Sequence, residues 1–321
     1  MAKRFALVAW LVLLLPVVLG STAPLNQVPA RSLLELDGVQ AGATMGVQGG
    51  GAYAEVITEA AGPEPYGRKH LGPPQYEEFE MRVDLGMARP VYDWIAAAWR
   101  QDAQRKDGAV VAADFNGAVM SRREFTDAMI TETVIPAMDA SSRDPGYLTV
   151  KFAPEQVRTV QGSKEKVAAP SAKSKSTRSW VVSNFRLAID GLDARRVSKI
   201  DAITVKQPTV LSGVGEARET RKEPGKVEFP NLKITLPAAD AQSWIAWHED
   251  FVIKGNNGQE KERNGKLELL AADGKQVLAT VRLYNVGIVS IREATSEAGA
   301  ANVLRYSVEM YVERMEFEGP R

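Results

Sequence analysis

Two stretches of the chain share one order of hydrophobic and polar positions. Residues 76–99 and residues 227–251 each begin with alternating apolar and polar residues and continue, after a short break, with apolar residues at helical spacing. A period of two predicts a strand with one buried face, and spacings of three and four predict an amphipathic helix. The apolar positions are Phe79, Met81, Val83 and Leu85 in the first strand; Val91, Trp94, Ile95 and Ala98 in the first helix, predicted over 89–106; Leu232, Ile234 and Leu236 in the second strand; and Ala241, Trp244, Ile245, His248 and Phe251 in the second helix.

Other landmarks also recur in the same order, separated by 150 to 158 residues. They are Asp37-Gly38 with Asp190-Gly191, Trp94-Ile95 with Trp244-Ile245, Asn116-Gly117 with Asp273-Gly274, and Glu155 with Glu313. A nearly constant separation over such a length indicates an internal repeat. The sequence therefore predicts one small domain encoded twice. The alternative is two unrelated β-rich domains that use similar turns.

The remaining pattern predicts mostly antiparallel strands. Asn116-Gly117 and Asp273-Gly274 suit hairpin turns, and closing strands are predicted over 147–152 and near the end of the chain. Gly49, Gly50 and Gly51 predict a bend or bulge, whereas residues 207–224 and the Gly/Pro-rich residues 60–74 predict long loops. The predicted fold class is mainly β with one helix per unit (α+β), as two tandem antiparallel β-sandwich or barrel domains.

The ends and the middle of the chain have different compositions. Residues 1–20 combine Lys3 and Arg4 with an apolar run, which is typical of a secretory signal peptide; an uncleaved anchor is the alternative. We predict a flexible lead-in over 21–32, domain 1 over 31–157, a flexible linker over 158–179 and domain 2 over 180–317. The linker is basic, and it suits either a solvated spacer or contact with an acidic partner. Its charged residues include Lys164, Lys166, Lys173, Lys175 and Arg178.

Composition narrows the function. The 321 residues contain 40 basic and 40 acidic side chains and no cysteine. Zero net charge argues against nucleic-acid binding and does not oppose self-association. The lack of cysteine excludes disulfides, thiolate catalysis and thiolate metal sites, so an exported protein of this kind depends on its cores alone.

No residue pattern predicts catalytic, cofactor-binding or metal-binding residues. The Gly49–Ala54 stretch matches a dinucleotide fingerprint only formally, because no parallel βαβ unit surrounds it. His248 lies on an apolar stripe and His70 lies in a predicted loop, and neither is near a second metal ligand in the sequence. The acidic residues Glu78, Glu80 and Asp84 alternate with core positions, which predicts a solvated strand face. Helical spacing makes core or subunit packing the better interpretation than sugar stacking for Trp94, Trp99, Trp244 and Trp247.

These landmarks resemble the tail-tube proteins of contractile-tailed phages, of phage-like injection systems and of type VI secretion. The resemblance is carried by residues 187–191 (LAIDG), residues 234–247 (ITLPAADAQSWIAW) and the final strand of the second copy, and by DWIAAAW and SRREF in the first. It implies a β-barrel-like sandwich with a flanking helix that assembles into six-membered rings stacked as a tube. With two units per chain, three chains would form a pseudo-hexameric ring. The two units per chain and the signal peptide depart from the family pattern.

The function predicted from the sequence is that of an exported, self-assembling structural protein rather than an enzyme. Its expected partners are copies of itself, as a trimer of two-domain chains or as stacked rings, and other tail-like or envelope proteins. No nucleic acid or cofactor is expected, and the membrane is involved only through the signal segment. The alternative is a monomeric periplasmic binding or adhesion protein, and an enzyme ranks last. Either way the protein is expected in the periplasm or outside the cell.

Overall fold

The computed structural model describes residues 31–59, 67–162, 165–167, 180–212, 221–294 and 304–320. The predicted signal peptide, nearly all of the lead-in and most of the basic linker lie outside these residues. The first unit contains eleven described strands and one α-helix: β1 (Arg31–Leu36), β2 (Val39–Thr44), β3 (Gly46–Gly49), β4 (Ala52–Glu59), β5 (Arg68–Tyr76), β6 (Phe79–Val83), α1 (Arg89–Trp99), β7 (Lys106–Ala113), β8 (Val119–Ile135), β9 (Met138–Asp139), β10 (Leu148–Ala153) and β11 (Gln156–Gln161).

The second unit repeats this order with fewer described strands. Its α-helix continues into a π-helical turn, Glu249–Ile253, and short 3₁₀ turns flank this region at Ala238–Asp240 and Gln259–Lys261. The main elements are β12 (Trp180–Ile189), β13 (Lys199–Ile200), β14 (Ile203–Lys206), β15 (Thr209–Ser212), β16 (Arg221–Pro224), β17 (Leu232–Pro237), α2 (Gln242–His248), β18 (Arg263–Ala271), β19 (Val277–Glu293) and β20 (Arg305–Glu318).

The main sheets of the two units have the same strand order. The first runs β1-β7-β8-β10-β6-β3, with β2 added beside β1, and the second runs β12-β18-β19-β20-β17-β13. Every pairing is antiparallel, and the hairpins turn at Gly117 and Gly274, whose positive φ angles of 80° and 65° suit glycine. The mainly β, antiparallel fold predicted from the sequence is confirmed. The equal strand order follows the repeated landmarks.

The anchor strands and the first helix bury the predicted residues. Phe79, Met81 and Val83 are buried in β6, and all four residues of the first helical stripe are buried. The first helix ends at Trp99, however, and not at residue 106. Gln101 takes a left-handed φ of 61°, and the indole of Trp94 donates to the carbonyl of Gln104, which fixes a loop before β7. The prediction of a helix over 89–106 was therefore too long.

Two predicted loops and the start of the predicted linker were wrong in part. Residues 156–161 pair with β8 along their whole length, so the first sheet extends beyond residue 157. The polar stretch 207–224 forms the β15–β16 hairpin, and the Gly/Pro-rich stretch contains most of β5, paired with β4. These stretches lack an alternating apolar pattern because both faces of the hairpins are largely solvated. Ladder pairing still provides backbone hydrogen bonds within each hairpin.

One large cluster of buried side chains extends through both units. In the first unit Phe79, Phe125 and Phe152 pack with ring centroids 4.9 to 5.7 Å apart. In the second, Trp244 and Phe251 each pack against Trp247. Since the cluster is continuous between the units, they share a core at their junction. We call this junction the internal joint.

Candidate assembly surface

The internal joint is built first from strands that cross between units. β14 of the second unit pairs with the end of β8 of the first, with Ile203 opposite Ile135 and Lys206 opposite Glu132. In return, β9 of the first unit pairs with β13 of the second. Each sheet thus gains a strand from the other unit. Backbone hydrogen bonds fix the register of the joint.

Aromatic side chains pack against one another in a second part of the internal joint. The helix α1 lies against β20, where Trp99 and Tyr92 contact Phe317 with ring centroids 5.6 and 6.4 Å apart. Trp99 also meets the half-buried Phe229 edge-on at 6.4 Å. Tyr92, Trp99 and Phe317 are at most 3% exposed. Burial of this much aromatic surface makes the joint a permanent part of the fold.

A polar cluster completes the internal joint where the β15–β16 hairpin meets the first unit. The carboxylate of Glu155 accepts hydrogen bonds from the guanidinium of Arg105 and from the backbone N–H of Lys222, both at 2.9 Å. The Lys222 ammonium donates to the carbonyls of Pro154 at 2.8 Å and Tyr76 at 3.2 Å. Arg105 also donates to the Lys222 carbonyl. Burial lowers the pKa of Lys222, although Glu155 acts in the opposite direction.

A further ion pair links the short strands β9 and β13. Asp139 lies 3.0 Å from the ammonium of Lys199 and also accepts hydrogen bonds from the hydroxyl and the N–H of Ser141. The Ser141 hydroxyl is the largest of the influences that lower the pKa of Asp139 to about 2, and Lys199 adds to it. Asp139 is therefore ionised throughout the physiological range.

The acidic residues considered in the sequence lie on a solvated strand face. Glu78 is exposed and Asp84 is half-buried, where it accepts from the N–H of Gly86. Glu80 lies 3.6 Å from Lys151 in an ordinary surface ion pair. The structure therefore does not gather these carboxylates into a pair set apart from solvent.

The histidines and tryptophans occupy separate places. His70 is exposed on β5, 3.8 Å from Glu59, and His248 is half-buried at the end of α2. All four tryptophans considered in the sequence are buried. The indoles of Trp94 and Trp244 donate to the carbonyls of Gln104 and Asp193. The core and packing interpretation of the tryptophans is confirmed.

Two features are absent from the described part of the chain. Within those residues, no group of three or more His, Cys, Asp or Glu side chains could hold a metal ion. Among the described helices, none has the length and hydropathy needed to cross a membrane.

Sequence reasoning missed the residues of the internal joint. Arg105, Lys222 and Phe317 are separated by 95 residues or more, and nothing in their local pattern shows that they meet. The sequence matches Glu155 with Glu313 as a repeat landmark but assigns Glu155 no role. A signal was present in the hairpins, because Arg68-Lys69 and Arg221-Lys222 are separated by the same 153 residues as the Asp-Gly turns.

Comparison with known proteins supports one class. Residues 181–316 match the family model of the T4-like virus tail tube protein gp19. The match covers the second unit, and the resemblance to the tail-tube family predicted from the sequence is confirmed. No curated protein matches the chain.

Several solved structures are similar to part of this chain. One is the sheath/tube terminator of the extracellular contractile injection system PVC, with 18% identity over 43% of this chain and 99% of that one, at a TM-score of 0.37. Another is the tube-terminating cap of the anti-feeding prophage, with 18% identity over 46% and 99% and a TM-score of 0.38. Hcp1 from Flavobacterium johnsoniae matches at 12% identity over 42% and 94%, with a TM-score of 0.26.

Proposed function

We propose that this chain is an exported structural subunit of two tandem tail-tube-like units that self-assembles into a pseudo-hexameric ring of three chains or a stack of such rings. The units comprise residues 31–161 and 180–317. The chain acts by assembly and not by catalysis.

The internal joint is the observation that carries this proposal. Two units with the same strand order are joined through different surfaces: the end of β8, α1 and Glu155 on the first, and β14, the β15–β16 hairpin and β20 on the second. Such a contact is heterologous, and repetition of a heterologous contact generates a ring or a filament. The gp19 match of the second unit supports the same class.

Export rests on the charged start and apolar run of residues 1–20. We expect this segment to direct the assembly to the periplasm or outside the cell, where it would meet partners of tail-like or envelope type. Zero net charge leaves little long-range repulsion between copies.

The test is the mass and shape of the mature protein, residues 21–321, over a wide range of concentrations. Light scattering with negative-stain images is expected to show trimeric rings or stacked tubes. A monomer at every concentration would refute self-assembly. That result would favour the alternative of a monomeric binding or adhesion protein built on the same fold.

A further inference from the structure

The internal joint uses one half of each unit's contact surface and leaves the complementary halves unused. The first unit offers the end of β8 and the Glu155 cluster, and the second unit offers β14 and a basic hairpin. The repeat counterparts of these features stand at opposite ends of the chain. The register of the sheets allows each counterpart to be identified.

One unused feature is the counterpart of strand β14 in the first unit. β3 and β13 pair with β6 and β17 in the same way, with Gly46 opposite Arg82 and Lys199 opposite Thr235, a separation of 153 residues. The counterpart of β14 is therefore residues 50–53. Tyr53 pairs with Gln75 as Lys206 pairs with Glu228, which confirms the match. β14 has β8 on its other side, whereas residues 50–53 have no second strand among the described residues.

The receiving edge is found in the same manner. Val134 of β8 pairs with Thr149 as Arg292 of β19 pairs with Ser307, a separation of 158 residues. The counterpart of the β8 edge is therefore residues 290–293. Their pairing with β20 extends to Glu293, but the pairing of β18 with β19 ends at Val286. Within the described chain this edge of β19 is open.

The side chains at the two open edges are complementary in charge. Lys69 is the counterpart of Lys222, and Glu313 is the counterpart of Glu155. Lys69 and Glu313 are both exposed, and neither side chain forms a hydrogen bond or ion pair with another described residue. Glu262 takes the place of Arg105, so the receiving edge has a carboxylate where the internal joint has a guanidinium, and this carboxylate accepts hydrogen bonds from Asn285 and Tyr311.

The helices α1 and α2 differ in the exposure of their apolar faces. Ile95 in α1 is fully buried, whereas its counterpart Ile245 in α2 is 37% exposed. Val252 and Ile253 extend this apolar face, at 39% and 63% exposed. An apolar helix face at the position that α1 buries against β20 is expected to be covered by a second molecule.

We infer that a second copy of this chain docks head to tail on the second unit, with residues 50–53 of one copy pairing with residues 290–293 of the next and Lys69 reaching Glu313. The inference rests on the proposed self-assembly and specifies its register: Gly50 opposite Glu293, Ala52 opposite Ile291, and Tyr53 opposite Ser290. This contact between copies lacks aromatic packing, because the repeat counterparts of Phe317 and Trp99 are Thr159 and Glu249. It is therefore the weaker and reversible joint.

Engineered cysteines test the register against no native thiol background. Tyr53→Cys and Ser290→Cys are made in separate chains, which are purified, mixed and oxidised. Tyr53 and Ser290 correspond to Lys206 and Glu132 of the internal joint. Lys206 and Glu132 lie next to the hydrogen-bonded pair of Gln207 and Thr131, so they occupy a non-hydrogen-bonded position of the ladder. Such positions bring Cα atoms to about 4.5 Å, within disulfide range.

Two further cysteine pairs serve as the positive and the negative control. Lys206→Cys with Glu132→Cys in one chain is expected to close within that chain. Tyr53→Cys mixed with Arg292→Cys is two residues out of register, at a diagonal separation of about 7–8 Å, which is beyond disulfide range, so its yield is expected to be far lower. The chain carrying both Tyr53→Cys and Ser290→Cys is expected to give a ladder that stops at three chains for a closed ring.

The outcomes separate this inference from the proposed function. Assembly with an in-register cross-link supports both. Assembly without it, while the within-chain control closes, overturns the inference and leaves self-assembly intact, as would equal yields from the two mixtures. A monomer without cross-links overturns both.

A charge exchange gives an independent measure. Lys69→Glu is expected to raise the concentration needed for half-assembly about tenfold, and adding Glu313→Lys is expected to restore most of the loss. Lys275→Glu changes an exposed lysine at the β18–β19 turn, and it should leave assembly unchanged. Equal effects of Lys69→Glu and Lys275→Glu would overturn the assignment of Lys69.

Discussion

The contact between Trp99 and Phe317 is expected to couple the stabilities of the two units. Phe317 is 2% exposed, and its ring centroid lies 5.6 Å from that of Trp99 and 6.4 Å from that of Tyr92. Truncation of a buried phenylalanine to alanine costs about 3–5 kcal/mol through lost burial and the cavity left behind. Phe317→Ala should therefore lower the free energy of unfolding by about this amount.

A double-mutant cycle isolates the part that belongs to the contact. Trp99→Ala, Phe317→Ala and the double variant are unfolded in urea and followed by circular dichroism, which does not depend on the removed indole. Aromatic pairs contribute about 0.5–1.5 kcal/mol beyond area burial. We expect a coupling energy of about 1 kcal/mol between Trp99 and Phe317.

Two control substitutions test whether the coupling energy is specific to the contact between Trp99 and Phe317. Phe125 is buried in the core of the first unit, so Phe125→Ala and Phe317→Ala should add to within about 0.5 kcal/mol. Phe115 is 82% exposed, and Phe115→Ala should change stability by less than about 0.5 kcal/mol. A coupling energy near zero for Trp99 and Phe317, with large single effects, would show that α1 does not hold the units together.

Three further predictions concern single positions. Glu155→Gln removes the carboxylate that accepts hydrogen bonds from the guanidinium of Arg105 and the backbone N–H of Lys222, and urea unfolding should show a loss of about 2 kcal/mol; no loss would refute the polar cluster. The folded pKa of Asp139 is about 2, below its ordinary value of 3.8, so its carboxylate contributes stability above pH 4 that is lost as the pH falls towards 2; Asp139→Asn should flatten acid unfolding curves in this window. A Cβ at Gly287 would lie 2.1 Å from the Tyr311 ring, so Gly287→Ala should cost about 1–3 kcal/mol; Gly46→Ala, whose Cβ would lie 3.6 Å from the guanidinium of Arg82, is the control for thermal unfolding.

Much of the fold could be predicted because the decisive signals are local. Alternation in β6 and β17 fixed which residues face the core, and Gly117 and Gly274 marked hairpin turns whose positive φ only glycine adopts readily. The constant separation of the repeat landmarks predicted two units, and the two main sheets do share one strand order. These features depend on neighbours within a few residues or on direct comparison of the two copies.

Local pattern could not predict where polar hairpins form. The β4–β5 and β15–β16 hairpins bury few apolar residues, so their sequences carry no alternation. The end of the first helix was missed for a related reason. The hydrogen bond from Trp94 to Gln104 and the left-handed Gln101 end α1 at Trp99, although the apolar spacing suggested a longer helix.

The sequence by itself determined the β-rich class, the core faces of β6 and β17 and the buried stripe of α1, because periodicity and turn chemistry act over short distances. Only the tertiary structure decided how the units meet. The pairing of β14 with β8, the packing of Trp99 on Phe317 and the Glu155 cluster join segments that lie far apart along the chain. Such contacts are selected by the shape and charge of complete surfaces. The same surfaces leave residues 50–53 and 290–293 as open edges for another copy.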